Sequence, residues 1–439
     1  MRPAASLLIA PIAIIALATA CRLPERHDFS TRIEERTLEL KPGGQFHAVT
    51  FNGFIDVEGW DRDEVQLVAK LREYREGDVR LTAESKDGRV TIKAERERKA
   101  DGEGMSESEK GRQRWEIYEK RRTSMFGNFL EMDGGASFTV KIPKKAMVTL
   151  YSSNGRIEIR RVNGEIDANT TNASIVANDL GAKARLTTSN GAISAADIKG
   201  ELYARTSNGS IEVYDIAGEA EIRTSNGRIN ARNVSGKTEA TTSNASISAE
   251  EIGAVARLTT SNGSISATRI KGDLFTRTSN SSLDVNDISG EADLRTSNGR
   301  VKARNIKGKT GVFTSNGSII AENIENDLLI KNNTGQLEII NVLGSIDAET
   351  TNASIMASNL DGKGRGIRLA TSNGSITLDL GRAQGTLQAK ASDGKAISID
   401  SPNAKLLTEA GSGAVKSAKI GNSEQLIDLR TTHGRITVR

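Results

Sequence analysis

Residues 205–213 read RTSNGSIEV, and almost the same string returns as TTSNGAISA at 187–195, RTSNGRINA at 223–231, TTSNGSISA at 259–267 and FTSNGSIIA at 313–321. Aligned on this signature, units begin at 153, 171, 189, 207, 225, 243, 261, 279, 297, 315, 333 and 351, a constant spacing of 18. A further unit begins at Ser372, after a three-residue insertion near Gly364–Gly366. Self-similarity at a fixed short period is the mark of a solenoid, in which each unit is too small to bury its own apolar face and stacks on its neighbours.

Within a unit the apolar residues alternate with polar ones. Position five runs Ile157, Ile175, Ile193, Ile211, Ile229, Ile247, Ile265, Leu283, Val301, Ile319, and position seven is Ala or another aliphatic residue. A period of two is that of a strand with one buried face. Each unit divides into two nine-residue halves, as in SNGRIEIRR followed by VNGEIDANT at 153–170. The sequence therefore predicts an all-β fold: a parallel, two-sided β-solenoid of 18-residue coils, right-handed as parallel crossovers usually are. Proline distribution agrees, because none of the six falls between Lys144 and Ser401, where every strand needs its N–H for a neighbour. Gly at the start of each strand is read as supplying a positive φ at a tight corner.

A longer copy lies on top of the short one. Residues 171–242 match residues 243–314 at 46 of 72 positions, so the rod grew by duplicating a block of four coils.

Position two is Asn154, Asn172, Asn190, Asn208, Asn226, Asn244, Asn262, Asn280, Asn298, Asn316, then Thr334 and Asn352. Stacked one per coil, these amides are expected to form a structural ladder along the axis, with flanking Thr and Ser in parallel hydroxyl ladders. The domain division expected is a signal peptide and modified cysteine over 1–21 and a linker over 22–37. Degenerate coils and a cap follow over 38–152, with a charged insertion at 97–135, then the regular solenoid over 153–380 and degenerate coils closing the chain over 381–439. The insertion, with Trp115 and Tyr118 beside Arg114 and Arg122, reads as a solvated loop carrying a helix around 106–123.

Aromatic residues are 4% of the chain, Gly numbers 42, and 60 basic residues face 56 acidic ones for a net charge of +4. This balance describes a mixed-charge surface and gives nucleic-acid binding no support. The N-terminus, MRPAASLLIAPIAIIALATAC, joins a basic residue, a short apolar run and small residues ending at Cys21, the single cysteine. It resembles the lipobox of bacterial lipoproteins, with Ala18 where Leu is more usual, and implies lipidation of Cys21 and an extracytoplasmic location. Arg22 in place of an acidic residue points to the outer membrane.

Catalysis would need a different pattern. Parallel β-helices include polysaccharide lyases and hydrolases, which need clustered carboxylates and a basic group. Asp179, Asp197 and Asp215 recur at position nine, but Asn233 follows them, so they read as part of a charged face. The three histidines, His27, His47 and His433, lie near the ends, and His433 replaces Asn in the turn motif. No catalytic residue, metal or cofactor is expected. Arg205 and Arg223 share an outward position in adjacent coils, repeated as Arg277 and Arg295, and form a candidate polyanion contact unless Glu221 and Asp293 neutralise them.

The segments LKPGGQFHAVTFNGFIDVEGWDRDEVQLVAK (40–70), DGRVTIKA (87–94) and IPKKAMVTLYSSNGRIEI (142–159), followed by the serial SNG units, resemble the bacterial "putative adhesin" family with β-strand repeats, a domain of unknown function. The resemblance implies a β-solenoid at the cell envelope and supplies no catalytic residues. The expected function is a non-catalytic, lipid-anchored envelope rod offering a structural or binding surface. Its expected partners are the membrane and an envelope polysaccharide or another envelope protein. The alternatives are an envelope-stress or signalling accessory protein that recruits a membrane partner and, less favoured, a polysaccharide-active enzyme.

Overall fold

The structure, a computed structural model, describes residues 30–73, 77–96, 134–408 and 415–439. It is built of β-strands that form two sheets, one of 19 strands and one of 20, facing each other across a narrow apolar core. Each regular coil gives one strand to each sheet. In the coil beginning at Ser207, Ile211–Ile216 joins the first sheet and Ala220–Arg223 the second. Successive coils pair in parallel and without slippage: Ile193, Ile211 and Ile229 align in the first sheet, and Ala204, Ile222 and Ala240 in the second. Like residues therefore stack on like, and the 18-residue period is the pitch of the stack.

The inward set of one coil is Ile211, Val213, Ile216, Ala220 and Ile222, all essentially inaccessible to water. A core built from Ile, Val, Leu and Ala suits two closely packed sheets. Ile216 breaks strict alternation, which would have put Asp215 inside. Asp215 has φ of 56°, and every regular coil repeats this at the same position, from Arg161 to Asn359. The left-handed residue shifts side-chain parity by one, so the following aliphatic residue points inward as the chain rounds the corner. Asn and Asp tolerate that conformation better than most residues, which accounts for Asp179, Asp197, Asp215 and Asn233 in this column.

The glycines of the SNG turns do a different job from the one expected. Among the described residues, the positive-φ glycines include only one turn glycine of the repeats, Gly335. A Cβ at Gly191 would sit 1.7 Å from the carbonyl oxygen of Ala173, and one at Gly209 would sit 1.8 Å from that of Gly191. These positions need glycine for close approach of stacked backbones. Ala173, Ala245, Ser281 and Ala353 occupy the same place in other coils, and each has glycine in both neighbouring coils.

At both ends the order of coils departs from the order of the chain. Ile55–Trp60 lies between Ile157–Val162 and Gly135–Pro143, and Gln45–Thr50 between Met147–Ser152 and Arg89–Arg96. At the C-terminus Ile436–Val438 is held between Ile376–Asp379 and Ile397–Ile399. Among the described residues three of the four outermost strands run antiparallel, Ser30–Glu39 on Glu64–Glu73, Val79–Lys86 on Arg89–Arg96, and Ala404–Thr408 on Val415–Ile420, while Ile397–Ile399 stays parallel to Ile436–Val438. At the N-terminal end the reversed edge strands are rich in charge, STRIEERTLE and VRLTAESK, which stops the stack from growing there. The linker expected up to residue 37 is thus already strand from Ser30, because its backbone groups pair along the whole length of Glu64–Glu73. The expected helix at 106–123 lies outside the described residues, and the last residue of the insertion, Gly135, opens a strand.

Candidate functional site

The SNG edge carries an amide column, bonded coil to coil from Asn52 to Asn316. Asn208 Nδ2 donates to Asn190 Oδ1 at 2.6 Å, Asn226 to Asn208 at 2.7 Å, and Asn244 to Asn226 at 2.6 Å. The same bond links Asn172 to Asn154, and Asn190, Asn262, Asn280, Asn298 and Asn316 each to the Asn one coil earlier. The column extends beyond the regular coils to Asn52, which accepts from Asn154 at 2.6 Å. Thr334 donates to Asn316 Oδ1 at 3.1 Å. Asn352 accepts from Asn373, and His433 Nδ1 lies 3.0 Å from Asn373 Oδ1. His433 is therefore a member of the column, placed there by the intercalated last strand.

The threonines before the motif behave differently from a hydroxyl ladder. Thr206 is buried and donates to the Gly191 carbonyl oxygen of the preceding coil at 2.9 Å, while accepting from its own Gly209 N–H at 3.3 Å. One hydroxyl thus pins this turn to two backbone groups, and the same two bonds recur at Thr188, Thr224, Thr260 and Thr296. A second amide column, which the repeat pattern had not suggested, runs through the left-handed corner: Asn323 donates to Asn305, Asn341 to Asn323 and Asn359 to Asn341. Its signal in the sequence is Asn at position nine of four consecutive units.

The remaining surface is the outer side of the two sheets. On the second sheet Arg205 aligns with Arg223, and Arg277 with Arg295, separated by Thr241 and Thr259. Arg223 pairs with Glu221 at 2.8 Å and Arg295 with Asp293 at 2.7 Å, and the carboxylate beside Arg295 raises the guanidinium pKa further. The strip is thus half neutralised. On the opposite sheet Arg156 pairs with Glu158, and Arg300 donates to Ser318 Oγ. Arg232, Arg269, Glu250 and Glu251 form a small exposed network there.

Three of the aromatic rings on the outer side of the second sheet have a guanidinium over them. Arg185 lies 4.3 Å from the centroid of Tyr203, Arg257 4.2 Å from Phe275, and Arg295 4.5 Å from Phe313. The first two pairs occupy equivalent places in the duplicated blocks, four coils apart, and bring each guanidinium over its ring, the arrangement cation–π attraction favours. In the N-terminal cap His47 is held below the ordinary histidine range by partial burial and then by Arg89 and Lys93, so it is neutral at pH 7. Among the described residues no group of three His, Cys, Asp or Glu side chains is placed to hold a metal ion, and no helix is long and apolar enough to cross a membrane. Cys21 lies outside the described residues.

Comparison with known proteins gives a family match. The profile described as Toastrack DUF4097 matches residues 73–287. No curated protein matches the chain. Among solved structures, a "putative cell adhesion protein" from Clostridium sporogenes ATCC 15579 is 8% identical, with 93% of this chain and 98% of that chain covered and a TM-score of 0.15. A "putative adhesin" from Bacteroides fragilis NCTC 9343 is 10% identical, with 79% and 96% covered and a TM-score of 0.20.

Proposed function

Residues 73–287 of this chain belong to the Toastrack DUF4097 family, and from that premise we propose that the protein is a non-catalytic, adhesin-like rod of the bacterial cell envelope. One observation carries the reading: the outer side of the second sheet repeats the same arginine-on-aromatic element along the rod, at Arg185–Tyr203 and again at Arg257–Phe275. A rigid array of equivalent elements gains avidity for a partner that is itself repetitive, such as a polymer or a crowded surface. The outward carboxylates support a binding role over catalysis, since Glu221, Asp293, Asp347, Glu250 and Glu251 are each held by a neighbouring guanidinium.

Arg205 and Arg277, without an acid two residues earlier on the strand, are the cationic points of this face and would supply its contact with an anionic polymer. The rod is held at the membrane by lipid on Cys21, on the extracytoplasmic side. The test is twofold. The full chain is expected to retain envelope polysaccharide from solubilised envelopes; retention of one defined membrane protein instead would favour the signalling-accessory reading. Cys21→Ser should abolish incorporation of labelled fatty acid and release the folded chain from the membrane fraction, and continued membrane association would refute the anchor.

A further inference from the structure

Two irregularities in an otherwise regular sequence meet at one place in the fold. The first is Gly311, a glycine in an outward strand position of the second sheet. The second is the insertion that lengthens one coil and forms a loop on Gly362, Gly364 and Gly366, all at positive φ. Gly311 and Gly366 both line a groove of about 680 Å³ that runs along the rod over seven successive strands of the second sheet, from Phe275 to Asp428. At strand spacings of about 4.8 Å it is roughly 30 Å long.

Gly311 is a glycine the backbone does not require. Its φ is not in the left-handed region, and an added Cβ would meet no backbone atom closer than 4.0 Å. What it would meet is the ring of Phe313, at 3.0 Å. The missing side chain lets that ring lie down over the strand and, with Leu329 in the next coil, make an apolar floor two coils wide. A guanidinium–carboxylate pair stands on each side: Arg295 with Asp293, through two bonds of 2.7 and 3.0 Å, and Arg368 with Asp347 at 2.7 Å; the Arg295 guanidinium lies 4.5 Å from the centre of the Phe313 ring, which stays half-buried and still lines the groove.

The duplicated block is an internal reference. Residues 310–314 read TGVFT where the first copy, 238–242, reads TEATT, and Arg257 stands one coil on where the groove has Leu329. Both copies form the same strands in the same register, so the floor is an addition to the fold rather than a condition of it.

We propose that this groove binds an extended, neutral, hydroxyl-rich saccharide chain, with ring C–H faces on Phe313 and Leu329 and hydroxyls bridged by the two flanking pairs. The inference rests on the binding-surface reading and adds to its anionic-polymer contact at Arg205 and Arg277 a second site with its own ligand class. Charge decides against polyions: five carboxylates and four cationic side chains line the groove and largely neutralise one another. Fold decides against a peptide added as a strand, because neighbouring coils already use the backbone donors and acceptors of this sheet. An apolar floor with a few convergent, paired polar groups matches a sugar, whose faces are apolar and whose rim is hydroxyl.

The test uses the full chain against a panel of soluble polymers: dextran, a maltooligosaccharide, a chitin oligosaccharide, hyaluronate and polyglutamate. Binding is followed by affinity electrophoresis and calorimetry. At least one neutral saccharide should bind, with an affinity little changed by salt. The double variant Gly311→Glu/Phe313→Thr, which writes the first copy's residues into the second, should weaken it at least tenfold with an unchanged circular dichroism spectrum. Leu329→Arg, which copies Arg257, should do the same independently, while Glu212→Thr on the opposite sheet should not. Binding of none of the neutral saccharides, or binding unaffected by both groove variants, overturns the proposal. Envelope polymer that is still retained equally by the groove variants would leave the binding-surface reading standing and remove only this site.

Discussion

Gly263 sits in a crowded turn of the rod, with Ala245 one coil before it and Ser281 one coil after. A Cβ built on it lies 1.8 Å from the Ala245 carbonyl oxygen and 2.2 Å from the carbonyl carbon, more than an ångström inside the closest approach that side-chain carbons show. Relief would require the two coils to part. They are held by the Asn262–Asn244 bond at 2.9 Å, by Thr260 on the Ala245 carbonyl at 3.0 Å, and by the strand pairing on either side. Gly263→Ala therefore overpacks a backbone contact and should cost about 2–3 kcal/mol, the upper part of the overpacking range. Gly311→Ala is the control. It adds the same methyl group at a glycine whose Cβ would meet no backbone atom closer than 4.0 Å, and it should cost under about 1 kcal/mol by the same reasoning. Urea unfolding followed by circular dichroism, with the slope checked for constancy, reads the difference as a midpoint shift. Equal midpoints for the two variants would refute the claim that stacking distance, and not turn conformation, selects glycine here.

Deleting residues 243–314 joins Thr242 to Ser315 and should leave a shorter folded rod, because coupling is between neighbouring coils; deleting nine residues would rejoin unlike halves and should unfold it, and indistinguishable spectra for the two would contradict the 18-residue coil. Asn226→Ala removes the bonds to Asn208 and from Asn244, and should cost about 1–2 kcal/mol by urea titration, at roughly 1 kcal/mol or less for each exposed amide bond. Asp327 accepts from Ser345 Oγ and N, which together with Lys309 and Arg365 lower its pKa from the ordinary carboxylate value. A depressed folded pKa stabilises the protein above the unfolded carboxylate's pKa and ceases to do so as pH falls through the folded value. The urea midpoint should therefore drop on acidification below about pH 4, and drop less in Asp327→Asn.

The coil itself was legible in the sequence because everything that defines it is local. A period of two over Ile211 and Val213, a turn motif every 18 residues and the absence of proline from 145 to 400 require no knowledge of distant contacts. In a nearest-neighbour stack, a residue's partners are its own equivalents one unit away, so alignment of the units is already the contact map. The Asn column could be read as a column for the same reason. What could not be read is whatever depends on how two backbones meet. Glycine at 191 and asparagine at 233 both suggest a bend, yet the first is selected by a carbonyl oxygen 1.7 Å from its absent Cβ and the second by a φ of 53°. Composition does not separate crowding from torsion. The ends were hidden too, since intercalating Ile55–Trp60 and Ile436–Val438 one coil inward is a choice among apolar strands that all fit the core equally well. The groove joins Gly311 to Arg365 through several coils of stacking. The sequence by itself determined the unit and its repetition, because those follow from local pattern; tertiary structure alone decided the order of the end coils, the reason for each glycine and the groove along the second sheet, because those arise where separate coils touch.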